Sequence, residues 1–393
     1  MHVTTPGRPT LLRARIAVCL LFLLSGMAIG TWTARIPSIK QDLGLGDGQL
    51  SLALLGIAAG ALAGMQAVGR LIDRYGSVRV MLPMAFAQGV VLVLPAHAPN
   101  LAGLALALFA FGVVHGTLDV AMNANAVEVE RATGRPIMSS FHALFSIGGF
   151  LGAAAGGAFA HAGFSPAATF VALAAVVEVL ALWAALWALA PAAPAAAPGR
   201  ERGSGDAPPG GGGLLLLGVL GAFTMIGEGA AADWSSVHLR DDLGSSAGFA
   251  AAAYAAFSAT MTAGRLAGDR LTALLGPVAL VRGCGALAAV GLGAALLVGH
   301  PVAAVVGFGC FGAGLSCIVP QVFSAAGRRD PARAGQALAR VASLAYLGFL
   351  SGPVLIGGVA EMIGLPRALF LPVLLAAFVG LAASALRPAS FTK

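Results

Sequence analysis

The sequence predicts an all-α membrane protein of twelve transmembrane helices, arranged as two pseudo-symmetric six-helix bundles. Composition, the number of long apolar runs and an internal repeat carry that expectation. Hydrophobic residues make up 58% of the 393 and charged residues 10%, with a mean hydropathy of +0.89. A soluble domain carries roughly 25% charged residues, so this chain has too few charges to cover a globule in water. A bilayer accepts apolar surface and asks for about 20 apolar residues per crossing helix.

The formal net charge of +7 and pI near 9.9 do not read as a nucleic-acid surface, because the basic residues fall singly between apolar runs and form no stripe. They read as topology signals. Cys19, Cys284, Cys310 and Cys317 all lie inside apolar segments. They lack the paired spacing of a metal site or a disulfide framework and are read as small apolar helix residues.

Hydrophobic runs separated by charged or Pro/Gly-rich breaks place spans near 14–37, 48–70, 79–97, 101–127, 137–162 and 166–190, then near 214–238, 247–268, 276–299, 301–325, 335–361 and 366–386. The first follows Arg8, Arg13 and Arg15 as the core of a signal peptide would. It is too long for one, lacks an A-x-A-like site and is followed by many similar runs, so it is read as the first span. Residues 191–213 read PAAPAAAPGRERGSGDAPPGGGG, a stretch that cannot pack and is expected to be a flexible linker. The expected organisation is an N-terminal bundle over 1–190, a cytoplasmic linker over 191–213 and a C-terminal bundle over 214–393.

Lysine and arginine set orientation through the positive-inside bias. With the N-terminus inside, the outer segments hold only Arg35, Lys40, Arg240 and Arg367 of the 23 basic residues. Both termini and the linker are therefore expected in the cytoplasm. The halves also repeat each other. Asp42-Leu43-Gly44 recurs as Asp242-Leu243-Gly244, Phe111-Gly112 as Phe311-Gly312, and Leu144, Gly148, Gly152 and Gly157 as Leu344, Gly348, Gly352 and Gly357, while Gly69-Arg70-Leu71 returns as Gly264-Arg265-Leu266. A near-constant offset across four spans marks a parallel repeat, the architecture in which a substrate site forms between halves near the bilayer midplane.

The second span closes on Gly69-Arg70-Leu71-Ile72-Asp73-Arg74-Tyr75-Gly76-Ser77-Val78-Arg79. This resembles the loop motif of the major facilitator superfamily, G-x-x-x-D-[RK]-x-G followed by basic residues, in the position that superfamily uses. A degraded copy, Gly264 to Arg270 with Asp269-Arg270, follows the eighth span. The resemblance implies the major facilitator fold and secondary transport. Arg70, Asp73 and Arg74, with Arg265, Asp269 and Arg270, are then expected to gate: Asp73 at a helix end binds neighbouring helix N-termini and basic groups and holds the cytoplasmic side shut in one of two states. The plainer alternative is that Arg70, Arg74 and Arg79 anchor topology.

More narrowly, GTWTARIPSIKQDLGL, DVAMNANAVEVE, RPIMSSFHALFSIGG and EGAAADWSSVHLRDDLG resemble bacterial inner-membrane transporters of the YbjJ type, over nearly the whole chain except the linker. That group is in turn similar to the fucose:proton symporter family, whose fourth span carries an acidic residue followed four positions later by asparagine. Asp119 and Asn123 match, and by that resemblance inherit proton and substrate roles. The family's acidic residue in span one has no counterpart between Ala14 and Thr33. The drug-antiporter signature of span five is incomplete as well, since Gly152-Ala153-Ala154-Ala155-Gly156-Gly157 lacks its proline.

A carboxylate at membrane depth costs several kcal/mol unless it is paired, hydrated or protonated, and so marks function by default. Asp119, Glu178, Glu228 and Asp233 qualify. His115, Asp119 and Asn123, spaced by four, share one face of the fourth span beside Gly112 and Gly116. That face is expected to line a wet cavity, the alternative being a buried Asp119 bonded for stability. Glu228 and Asp233 lie about 140° apart around one helix, so their roles differ. Glu228, between two glycines, is expected to bind substrate or protons. Asp233, beside Trp234, is expected to meet Arg35, one turn beyond Trp32, in an outer gate; interfacial anchoring is the alternative. His142 with Ser139 and Ser146, Gln321 with Ser324, and Tyr254 with Ser258 form further polar faces that line the cavity or glue helices together. Glu178 leaves three readings open: a protonated carboxyl, a contact to another subunit, or misplaced span ends.

An enzyme is disfavoured, since no H-E-x-x-H, G-x-S-x-G or metal-spaced cluster occurs, and the missing G-x-x-x-x-G-K-[ST] argues against ATP-driven transport. A transport-dead sensor or scaffold would leave Asp119 and Glu228 idle. The expectation is a proton-coupled symporter of a small polar, sugar-like solute in a bacterial inner membrane. It would use no cofactor and draw on the proton gradient, with solute, protons and lipid bilayer as partners and no nucleic acid. Proton-coupled efflux of an amphipathic compound is the runner-up.

Overall fold

The computed structural model describes residues 8–188, 211–329 and 331–387. Among the described residues every regular element is helical. α1 (Arg8–Asp42), α2 (Asp47–Tyr75), α3 (Ser77–Val93), α4 (Leu101–Thr133), α5 (Met138–His161) and α6 (Pro166–Trp187) are followed by α7 (Gly211–Val237), α8 (Ala247–Val298), α9 (Pro301–Leu315), α10 (Ile318–Arg329), α11 (Ala334–Ile363), α12 (Leu365–Ala368) and α13 (Phe370–Leu381). The linker expected over 191–213 lies outside the described residues up to position 210, and its last three glycines form the first turn of α7.

Eleven stretches among the described residues are long and apolar enough to cross a membrane. One of them, Phe249–Val298, has 50 residues. At about 1.5 Å per residue it would measure roughly 75 Å, more than twice the hydrocarbon thickness of about 30 Å. Gly276, with φ 74° and ψ 160°, breaks it just before Pro277, and the two arms bring the crossings to twelve. Gly76, with φ 86° and ψ 153°, breaks the chain in the same way between α2 and α3. Positive φ combined with extended ψ is a region that essentially only glycine occupies, so one residue type at positions 200 apart fixes both breaks.

Other ends follow from local chemistry. Asn100 caps α4 by accepting from Gly103 N at 2.9 Å, and α4 stops at Gly134, whose φ of 65° lets its N–H reach Glu130 O at 3.1 Å. Ser165 caps α6 ahead of Pro166 at its first position. Ser246 caps α8 by accepting from Phe249 N.

The contacts group into two compact units, one of residues 8–135, 144–188 and 331–339, the other of 136–143, 211–329 and 340–387. In the first unit Gly112 and Gly116 of α4 sit against the backbone of Ile57 and Ala61 in α2, where a Cβ would overlap. In the second, Gly312 of α9 meets Phe257 of α8 in the same fashion. Gly148 on Leu23 and Gly348 on Ala222 form a further matched pair, each within its own unit. Small residues let helix backbones approach where lipid supplies no hydrophobic drive between helices. These contacts hold α4 and α9 close to their neighbours and fix which faces remain for chemistry.

Candidate transport site

In the first unit the 3.6-residue period places His115, Asp119 and Asn123 in line along α4, as the sequence indicates. Asn123 Nδ2 donates to the Asp119 carbonyl at 2.9 Å and to its Oδ1 at 3.3 Å. Asp119 is half-buried, whereas His115 is 3% and Asn123 0% exposed. Two of the buried polar atoms, His115 Nδ1 and Asn123 Oδ1, have no hydrogen-bond partner. The His115 ring stacks on Phe111 at 5.7 Å and lies 6.5 Å from the ring of Phe145. The result is a carboxylate bonded by a carboxamide and one helical turn from an imidazole, against which two aromatic rings pack. Unmet donors and acceptors in an apolar setting are costly until a ligand or water meets them.

In the second unit the electrostatics differ. Arg265, 7% exposed, reaches Glu228 with Nη2 3.5 Å from Oε2. Their positions on α8 and α7 are 37 apart in sequence, and no spacing rule links them. Gln321, 3% exposed, donates from Nε2 to Thr272 Oγ1 at 2.9 Å, which ties α10 to α8. Ser324 accepts from Arg328 Nη1. The His142 ring lies 6.0 Å from that of Phe323, and Tyr254, exposed, stacks on Phe257 at 6.0 Å.

Of the loop-motif residues expected to gate, three arginines are exposed, Arg265 is buried against Glu228, and both aspartates accept backbone N–H. Arg70, Arg74 and Arg270 are exposed, and Arg74 sits over the Tyr75 ring at 5.2 Å. Asp73 accepts from Gly335 N at 2.8 Å, Gln336 N at 3.3 Å and Gln336 Nε2 at 2.8 Å. These donors belong to the first turn of α11, where unsatisfied N–H groups attract an anion. A Cβ on Gly335 would come within 2.8 Å of Asp73 Oδ1, so the approach depends on glycine. Asp269 accepts from Ser140 N, in the first turn of α5, at 3.1 Å. These are the helix starts that group with the unit of the aspartate they bind. The partners Gly335, Gln336 and Ser140 carry no motif and were not legible beforehand.

Arg35 is 2% exposed and donates from Nη2 to Phe164 O at 2.7 Å, while its Nε and Nη1 have no hydrogen-bond partner. Trp32 packs on Phe170 at 6.3 Å within the same unit. Asp233 is exposed, and Trp234 beside it lies over Gly357 of the second unit.

Among the described residues, twelve apolar crossings and glycine-mediated helix packing define a polytopic helical membrane protein with unmet polar atoms beside a membrane carboxylate. The chain belongs to the Major Facilitator Superfamily, whose sequence model matches residues 18–333. An uncharacterised MFS-type transporter of Yersinia pestis is 34% identical over 354 residues, covering 88% of this chain and 89% of that protein. An uncharacterised transporter of Sinorhizobium fredii is 36% identical over 374 residues, covering 93% and 96%. The fold resembles the crystal structure of the transporter FucP in its outward conformation, with a TM-score of 0.78 at 17% identity over 94% of this chain and 98% of that one. The protein is a multi-pass secondary transporter of a solute and not an enzyme.

Proposed function

We propose that the protein is a proton-coupled symporter of a small polar, sugar-like solute, working by alternating access in a bacterial inner membrane with both termini in the cytoplasm. The observation that carries this reading is the α4 face, where Asp119 bonds Asn123 and leaves buried polar atoms of Asn123 and His115 unmet. Asp119 takes the proton, and Asn123 and His115 bind solute hydroxyls. Glu228 and Arg265 supply a second polar group, with His142, Gln321 and Tyr254 contributing to the surroundings of the solute. The proton gradient is the energy source and no cofactor takes part.

Asp73 and Asp269, with the arginines beside them, latch the cytoplasmic side. Arg35 and Asp233 gate the outer side, a role supported by the two buried Arg35 nitrogens that lack partners. A proton shifts such an equilibrium only by its differential affinity for the two states, which places the coupling group where its surroundings change between them. The resemblance of the Asp119–Asn123 spacing to that of the fucose:proton symporter family supports the sugar-like assignment, and the chain's likeness to transporters of the YbjJ type is part of the same proposal.

The test is proton flux into vesicles loaded with a pH-sensitive dye and challenged with sugars, small acids and amphipathic drugs, comparing wild type with Asp119→Asn. Sugar-triggered proton entry that falls at least about 100-fold in the variant is expected, the size of a lost proton-transfer group. Flux of opposite sign would replace symport by efflux. Coupled flux that survives the substitution would remove Asp119 from the mechanism.

A further inference from the structure

Glu178 lies on α6 near the middle of the 22-residue span Pro166–Trp187, and the sequence offers it no partner. The structure brings its carboxyl onto the backbone of α3: a Cβ on Gly89 would overlap Glu178 Oε1 and lie 2.9 Å from its Cδ. Glu178 is half-buried, and the adjacent apolar residues Val176, Val179, Leu182 and Trp183 on α6 are exposed, so the carboxyl sits between α3 and a face open to lipid.

Gln88, the neighbour of Gly89, occupies the middle of the span Ser77–His97. It is 0% exposed, and neither its Nε2 nor its Oε1 has a hydrogen-bond partner. Glu178 Oε1 is likewise buried without a partner. Adjacent Cα atoms are about 3.8 Å apart, so a carboxyl resting on Gly89 is within reach of the Gln88 side chain. Three unmet polar atoms thus lie at one depth between α3 and α6; they do not bond one another as placed, and rotation about the side-chain torsions of Gln88 and Glu178 brings them together.

The chemistry of the two groups is complementary in one protonation state. A carboxylate only accepts hydrogen bonds and would leave Gln88 Oε1 unmet. A protonated carboxyl has one O–H donor and one carbonyl acceptor, matching the acceptor and donor of a primary amide. We propose that Glu178 and Gln88 form a neutral acid–amide clasp between α6 and α3, a second proton-binding site separate from Asp119. The Glu178 O–H donates to Gln88 Oε1, and the amide N–H donates to the Glu178 carbonyl oxygen. Packed against α6 are α1, α3 and the turn Leu94–His97. Of their titratable groups, α1 carries Arg13, Arg15, Cys19, Arg35, Lys40 and Asp42, α3 carries Arg79 at its start, and the turn carries His97, whose Nδ1 lies 3.1 Å from Val93 O.

The clasp is tested on the full-length protein in lipid by infrared spectra recorded against pH, without any solute, for wild type, Glu178→Gln, Gln88→Leu and Ser235→Ala. A protonated-carboxyl band present at neutral pH, absent in Glu178→Gln and shifted in Gln88→Leu, is expected. Ser235 of α7, also buried with an unmet Oγ, should leave the band in place when changed to alanine. If Gln88→Leu does not accumulate, Gln88→Asn, which withdraws the amide by one methylene, gives the same comparison. No band lost in Glu178→Gln at neutral pH, or a lost band indifferent to Gln88, would overturn the proposal. Because no solute is used, either result leaves the role of Asp119 untouched.

Discussion

The second and eighth spans carry the same letters, Gly69-Arg70-Leu71 and Gly264-Arg265-Leu266, yet the two arginines have different surroundings. Arg70 is exposed, whereas Arg265 is buried against Glu228 at 3.5 Å. The aspartates that follow behave alike, each accepting backbone N–H from the first turn of a helix. Backbone punctuation is repeated too, with glycines of positive φ at 44 and 244 and at 76 and 276. An internal repeat therefore preserved what the fold needs, turns and helix-end anions, while side chains facing the interior diverged. In the first unit the membrane carboxylate Asp119 bonds an asparagine. In the second, Glu228 meets a cation.

The largest test of that contrast is the Glu228–Arg265 pair. Glu228→Ala leaves a buried guanidinium without its counter-charge and should cost about 3–5 kcal/mol, read by reversible SDS unfolding in mixed micelles. The double substitution Glu228→Leu with Arg265→Met should recover most of that loss, because replacing both ions by apolar groups is often neutral. A double variant no more stable than the single one would show that Arg265 is held mainly by groups other than Glu228.

Next in size are Gly76→Ala and Gly276→Ala. Each forces a Cβ into a backbone region that costs on the order of 1–3 kcal/mol, and the two losses should match. Unequal losses in the same unfolding assay would break the claim that punctuation is what the repeat conserves.

Smallest is Arg70→Ala. As an exposed residue it should change stability by less than about 0.5 kcal/mol, while Arg265→Ala in the same assay should be severe. A large loss for Arg70→Ala would place the two arginines in equivalent environments and erase the contrast.

The α4 face was legible beforehand because it is local: four-residue spacing on a helix fixes a shared face whatever surrounds it. The helix-end role of Asp73 could be anticipated from its place at the end of α2. Its donors Gly335 and Gln336, 262 and 263 residues away, could not. Gln321 read as a candidate cavity residue, yet it bonds Thr272 across 49 residues. The cation beside Glu228 was missed because Arg265 looked like a loop-motif arginine.

By itself the sequence determined the solvent, the number of crossings, the glycine breaks and the faces along each helix. These depend on hydropathy, backbone sterics and the helical period, which act over a few residues. Only the tertiary structure decided what each carboxylate meets: Glu228 meets Arg265, Asp73 the start of α11, and Glu178 the backbone at Gly89, with its Oε1 left unpaired. Those choices depend on which helix packs against which, and in how close a register, and a one-dimensional pattern does not encode a contact between residues far apart in the chain.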